Sequence, residues 1–193
     1  MSLRRDQDGA GSDLSAVLVL YSSVEGHTER IAHRIAEVLR SRGHAVDLAP
    51  AGGKIDLSRY AGVIVGASVH YGRHPAWLAE LLRDNAASLG RRKTAFFSVS
   101  LGAKARYATK FLRCAAWQPQ LTAVFAGALQ YSKYGPVKRR VVQAFAAIGG
   151  HDTDASRDYD YTDWQAVERF SEAFARLFAA DRPDSRALSS RGG

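Results

Sequence analysis

Short β-branched apolar runs alternate along this chain with longer stretches in which apolar residues return every three or four positions. Ala16–Tyr21 (AVLVLY) is almost continuously apolar, the pattern of a parallel strand buried on both faces. From Thr28 to Arg40 the residues Ile31, Ile35, Val38 and Leu39 recur at helical spacing, and Gly43 suits the helix end. Ala45–Leu48 predicts a second strand and Gly62–Ala67 (GVIVGA) a third. A helix follows, opening on Pro75 and carrying Trp77, Leu78, Leu81, Leu82 and Leu89. Thr94–Val99 (TAFFSV) predicts a fourth strand, with a helix near Tyr107–Trp117, and Thr122–Leu129 (TAVFAGAL) predicts a fifth. Thr162 and Gln165 have capping-box spacing, and Val167, Phe170, Phe174, Leu177 and Phe178 then form one apolar face. Buried strands alternating with helices predict one α/β domain: a doubly wound five-stranded parallel sheet with helices on both faces.

The folded part is expected over residues 16–180. Residues 1–15 are polar and Gly-rich and read as a flexible leader, and 181–193 read as a disordered tail. Residues 130–160 do not fit the plain alternation and form an inserted segment. No apolar run reaches the roughly 18 to 20 residues that span a bilayer, so no transmembrane segment is expected. Cys114 is the single cysteine, which excludes an internal disulfide and a thiolate metal site, and a cytoplasmic protein is expected.

Charge adds a constraint on partners. The formal net charge is +8, which favours an anionic partner: nucleic acid, anionic lipid or an acidic small molecule. In Pro136–Ile148, Val137, Val141, Ala144, Phe145 and Ile148 share a face opposite Lys138, Arg139 and Arg140. Three readings of that segment stay open: contact with an anionic membrane surface, a cradle for acidic groups of a ligand, or a helix with its charges in solvent. The cations form no aromatic-interleaved stripe, so nucleic acid is not the expected partner.

In a doubly wound sheet, ligands bind beyond the carboxyl ends of the strands. The loop after strand one is Ser22-Ser23-Val24-Glu25-Gly26-His27-Thr28, neither a Walker loop nor G-x-G-x-x-G. Its hydroxyls and glycine at a helix N-terminus suit a phosphate, and they equally suit a capped turn. After strand three comes Ser68-Val69-His70-Tyr71-Gly72, in which an aromatic beside a glycine suits a flat ring or a surface turn. After strand four, Ser100-Leu101-Gly102 leads to Tyr107, a ring contact or the first core residue of its helix. The three loops converge on one crevice.

Ser23-Val24-Glu25-Gly26-His27-Thr28 after a buried strand resembles the flavodoxin phosphate loop, Thr/Ser-x-Thr-Gly-x-Thr, with Glu25 in place of the middle hydroxyl. Gly66–Gly72, Ala126–Tyr131, Tyr161–Trp164, and Gly149-Gly150 before Asp152-Thr153-Asp154 resemble a narrower group, the bacterial menaquinone-dependent protoporphyrinogen oxidases. The likeness runs from about Val17 to Phe178 and includes the 130–160 insertion; the Val99–Tyr107 loop is shorter than in enterobacterial members. This resemblance implies a flavodoxin-like fold that binds FMN. Ser22, Ser23, Val24, Glu25, Gly26, His27 and Thr28 would hold the phosphate, with Glu25 contributing backbone. Ser68, Val69, His70, Tyr71 and Gly72, with Ser100, Leu101 and Gly102, would line the isoalloxazine, and Tyr71 or Tyr107 would stack on it. Catalysis would rest with the flavin N5 and with no side chain, His70 being a spectator or a proton relay.

The implied reaction is oxidation of protoporphyrinogen IX to protoporphyrin IX in haem biosynthesis, with electrons passed to menaquinone or a related quinone. Peripheral contact with the inner face of the cell membrane through 136–148 would accompany it. The alternatives are a flavodoxin-type electron carrier or NAD(P)H:quinone reductase and, from another class, a nucleic-acid or regulatory binding module. Soluble flavodoxin carriers are acidic, as that resemblance implies, whereas this chain is basic.

Overall fold

The computed structural model describes residues 16–53, 55–133, 135, 142–143 and 152–179. Five parallel strands lie in the order β2-β1-β3-β4-β5: β1 Ala16–Ser22, β2 Val46–Pro50, β3 Tyr60–Ser68, β4 Lys93–Ser100 and β5 Leu121–Ala126. The helices are α1 His27–Ser41, α2 Ala76–Asp84, α3 Ala86–Leu89, α4 Ala105–Cys114 and α5 Trp164–Ala179.

Successive strand residues point to opposite faces, so each strand feeds two cores. Val17, Val19, Ile64, Phe97 and Phe125 face α1 and α5, where Ile31, Ile35, Phe170 and Phe174 meet them. Leu18, Leu20, Val63, Val65 and Phe96 face α2 and α4, against Leu78, Leu82 and Phe111. The near-continuous apolar strands are thus explained by burial on both faces. The chain order reverses at β1, flanked by β2 and β3, which opens a crevice at the carboxyl ends of β1 and β3.

Several local expectations change. The expected fifth strand stops at Ala126, because the Gly127 N–H donates to the Ser100 carbonyl (3.0 Å) and its carbonyl accepts from the Tyr161 N–H (3.1 Å). Ala128–Leu129 (β6) then pairs antiparallel with Tyr159–Asp160 (β7) as a separate two-stranded ribbon. The helix after Pro75 is broken at Asn85, whose side-chain amide donates to the Leu81 carbonyl at 2.8 Å. Trp77 is 45% exposed rather than part of the core. The helix after β4 ends at Cys114, and Trp117 lies beyond it, buried against Phe96. Leu177 is only half-buried on α5, and Ser171 and Ala175 complete its buried face. Asp163, not Thr162, caps α5: its carboxylate accepts from the Ala166 N–H at 2.9 Å, which holds its pKa below the ordinary carboxylate range.

The 130–160 insertion is anchored by tyrosines. Tyr131 is fully buried and donates to the Asp152 carbonyl at 2.8 Å, and the Tyr159 and Tyr161 rings stack at 6.1 Å. Burial and the Asp152 carboxylate at 2.5 Å push the Tyr161 hydroxyl up to about 12. Of the amphipathic 136–148 segment, only Val142 and Gln143 are described, both helical; the remainder lies outside the described residues, as do 1–15 and 181–193.

Candidate flavin site

The three loops expected to converge do so. A cleft of about 690 Å³, within the ordinary range for a small-molecule site, opens at the carboxyl ends of β1, β3 and β4. Its lining includes Ser23, Val24, Glu25, His27 and Thr28 from the first loop, and Ser68, Val69, His70, Tyr71 and Gly72 from the second. Ser100, Leu101, Gly102 and Tyr107 come from the third. Ser22 and Gly26 do not line it and shape it from behind. The Ser22 carbonyl accepts from the Ser68 hydroxyl at 3.3 Å, tying the ends of β1 and β3 together.

At the first loop, Gly26 takes a left-handed conformation (φ 85°) and is the N-cap of α1 without a side chain to close the helix end. The Gly26 N–H donates to Ser23 Oγ at 2.9 Å, which folds the loop back on itself. Thr28 is 1% exposed yet reaches the cleft. Hydroxyls around the positive end of a 15-residue helix form the donor set that a phosphate monoester requires.

His27 was expected among the phosphate-holding residues. Its ring is committed elsewhere: Nε2 lies 2.6 Å from Thr162 Oγ1 and 3.7 Å from the Asp160 carboxylate. The Thr162 hydroxyl donates its proton to the Ala126 carbonyl (2.9 Å), so Thr162 Oγ1 accepts and His27 Nε2 donates. His27 therefore bolts the first turn of α1 to the strand that leads into α5.

The second loop is a two-residue hairpin closed by the His70 N–H to Arg73 O (2.9 Å) and Arg73 N–H to His70 O (3.2 Å). Both central residues are left-handed, Tyr71 at φ 48° and Gly72 at φ 76°. Glycine takes that conformation freely, but a tyrosine there stores strain, on the order of 1–2 kcal/mol. The Tyr71 ring is 79% exposed at the cleft mouth, with the His70 ring edge-on at 4.4 Å. Behind the hairpin His74 is buried: Nδ1 donates to the Ser68 carbonyl at 3.0 Å, and Nε2 accepts from Ser98 Oγ at 3.0 Å. Burial lowers its pKa from 6.5 to about 4, so it stays neutral and pins the end of β3 to β4.

In the third loop, Ser100 Oγ accepts from the Lys104 N–H at 3.2 Å, and Ala103 is left-handed at φ 46°. Arg106 lies over the Tyr107 ring, 5.0 Å from its centroid, and donates to the Tyr107 hydroxyl at 3.1 Å. That hydrogen bond, with the charges of Arg106 and Lys104, pulls the Tyr107 hydroxyl below its usual range. Lys104, Arg106, Gly127, Ala128, Leu129 and Val142 also line the cleft, and sequence reasoning had not chosen them. Lys104 and Arg106 stand between Gly102 and Tyr107, and Gly127–Leu129 lie inside the Ala126–Tyr131 motif, whose place at the cleft follows from β5 ending at Ala126.

The cleft thus joins a phosphate-type donor set at one end to a lining of Val69, Leu101, Ala128 and Leu129 under two tyrosines at the other. That combination fits a flavin mononucleotide. The flavodoxin domain profile matches residues 18–156. The chain belongs to the flavodoxin domain family. Within it, the chain is 36% identical over 183 residues to a protoporphyrinogen IX dehydrogenase [quinone] of Leishmania major, covering 88% of this chain and 79% of that protein. It is 33% identical over 178 residues to the protoporphyrinogen IX dehydrogenase [quinone] of Escherichia coli K12, covering 86% and 97%. Oxidised flavodoxin 2 from Bacillus cereus superimposes with a TM-score of 0.52 at 22% identity, covering 84% of this chain and 99% of that one. This last likeness establishes the flavodoxin fold.

Proposed function

We propose that this protein is an FMN-dependent protoporphyrinogen IX dehydrogenase that passes electrons to a quinone such as menaquinone. One observation carries the reading: relatives with that activity in their names align over 88% and 86% of the chain, on a fold whose strand ends line a flavin-sized cleft. Bound FMN would supply the redox chemistry, its N5 accepting hydride or electrons.

The chain's own residues then bind, orient and exclude water. Ser23, Thr28 and the α1 N-terminus hold the phosphate, with Gly26 shaping the turn and Val24 and Glu25 contributing backbone. The Ser68–Gly72 and Ser100–Gly102 segments read the ring edge through backbone N–H and C=O groups, while Tyr71 and Tyr107 close over it. The neutral, buried His74 keeps the Ser68 carbonyl aimed, and His70 is a cleft-wall residue. No helix among the described residues is long and apolar enough to cross a membrane. In this reading the basic 136–148 segment is the contact with a membrane that carries the quinone.

The test is to incubate FMN-loaded protein anaerobically with protoporphyrinogen IX and a menaquinone analogue while following porphyrin fluorescence. Acceleration well above autoxidation is expected. No acceleration overturns the proposal, and flavin reduction by NADPH with inertness to porphyrinogen selects a quinone reductase instead.

A further inference from the structure

We infer that Lys104 and Arg106 form a carboxylate-reading rim on the cleft and set its preference for a tetrapyrrole macrocycle with ionised acid side chains. This inference rests on the proposed porphyrinogen reaction and names residues for its substrate recognition.

Both side chains line the cleft beside Leu101 and Tyr107, and both residues are exposed. Among the described residues neither forms an ion pair, whereas Arg34, Arg42 and Arg169 are matched by Glu168, Glu172 and Asp163. Nor do they serve their own helix. Lys104 is the N-cap of α4 and Arg106 lies in its first turn, which has no acidic residue. Cations are disfavoured at that end of a helix by the macrodipole, so the arrangement weakens α4 unless an anion offsets it.

Arg106 is also held in place. Its guanidinium rests on the Tyr107 ring and gives one N–H to the Tyr107 hydroxyl, leaving other donors of the planar fork for a carboxylate. The flavin phosphate has donors of its own: its loop follows β1, and β1 and β4 lie two strand spacings, roughly 10 Å, apart. Protoporphyrinogen IX matches what remains. Its macrocycle is uncharged, so its two propionates, ionised at neutral pH, are the groups that a pair of cations can read.

The test uses FMN-loaded wild type, Lys104→Gln, Arg106→Gln and the double variant. Each is titrated by fluorescence with protoporphyrin IX, the product carrying the same two propionates, and with its uncharged dimethyl ester in the same detergent. Wild type is expected to prefer the diacid by about tenfold or more, and raised salt should erode that preference. Each single variant should lose roughly threefold in diacid affinity and the double about tenfold, with ester affinity unchanged and no parallel fall in FMN affinity. Arg106→Lys should recover part of the loss. Variants that keep the wild-type preference overturn the inference, as does FMN affinity falling in step with porphyrin affinity. Wild type that binds neither porphyrin removes the proposed reaction and this inference with it.

Discussion

His27 and Thr162 are 135 positions apart in sequence and 2.6 Å apart in space, Nε2 to Oγ1. The bond fastens the first turn of the phosphate-loop helix to the chain returning from the insertion. Thr162 is itself anchored on the last carbonyl of β5, so the tie crosses the sheet from α1 to β5.

Thr162→Val removes both an acceptor and a donor from a mostly buried pair. A loss of about 1–3 kcal/mol in stability is expected, together with weaker FMN binding, while Thr162→Ser retains both. Thermal unfolding and flavin-fluorescence quenching measure the two effects. Wild-type values for the valine variant would mean that the tie contributes nothing.

Thr28→Val keeps the shape of a nearly fully buried residue and deletes its hydroxyl. Loss of a hydrogen bond to a charged phosphate predicts roughly a 10- to 100-fold drop in FMN affinity. Riboflavin has no phosphate and should bind wild type and variant equally; an equal loss for both ligands would contradict phosphate contact.

Tyr71→Asn places a residue tolerant of left-handed backbone at φ 48°. Stability should rise by up to about 1 kcal/mol while flavin affinity falls with the lost ring. Urea unfolding of the flavin-free protein reads the first effect and quenching the second. A destabilised variant would refute stored strain at this turn.

His74 imposes a pH dependence. Its folded-state pKa is about 4 against 6.5, so between those values the unfolded chain binds a proton that the native state refuses. Stability therefore falls as pH drops from 6.5 to 4, by at most about 3 kcal/mol, and this contribution adds nothing further below pH 4. In urea titrations across that window, His74→Gln should be less stable at neutral pH but lose less on acidification. Parallel loss in the two proteins would show that His74 does not carry the effect.

Gly66→Ala should destabilise by about 2–3 kcal/mol, since its Cβ would lie 1.9 Å from Cζ of fully buried Phe97. The two residues are register partners on β3 and β4, and the ring occupies the space that the glycine leaves. Phe97→Leu in the Gly66→Ala background should recover part of the loss in chemical unfolding. An unchanged midpoint for the single variant would place the ring elsewhere.

The sequence by itself determined the layers of this protein. Apolar runs such as Ala16–Tyr21 demand burial on both faces, and with helical patterns between them only a doubly wound sheet satisfies that demand. Local chemistry also marked the three loops, because hydroxyls, glycines and tyrosines have restricted uses at strand ends. Tertiary structure alone decided what depends on distant partners. The run through Leu129 read as one strand, yet Gly127 breaks it by bonding to Ser100 and Tyr161. His27 read as a phosphate-holding residue; the fold keeps it in the cleft wall and adds Thr162 at its ring. Nothing local singled out Lys104 and Arg106, and only the convergence of β1, β3 and β4 put them on a cleft. Periodicity records how much surface a segment must bury, a local quantity; a hydrogen-bond partner 135 positions away is set by the packing of the whole chain.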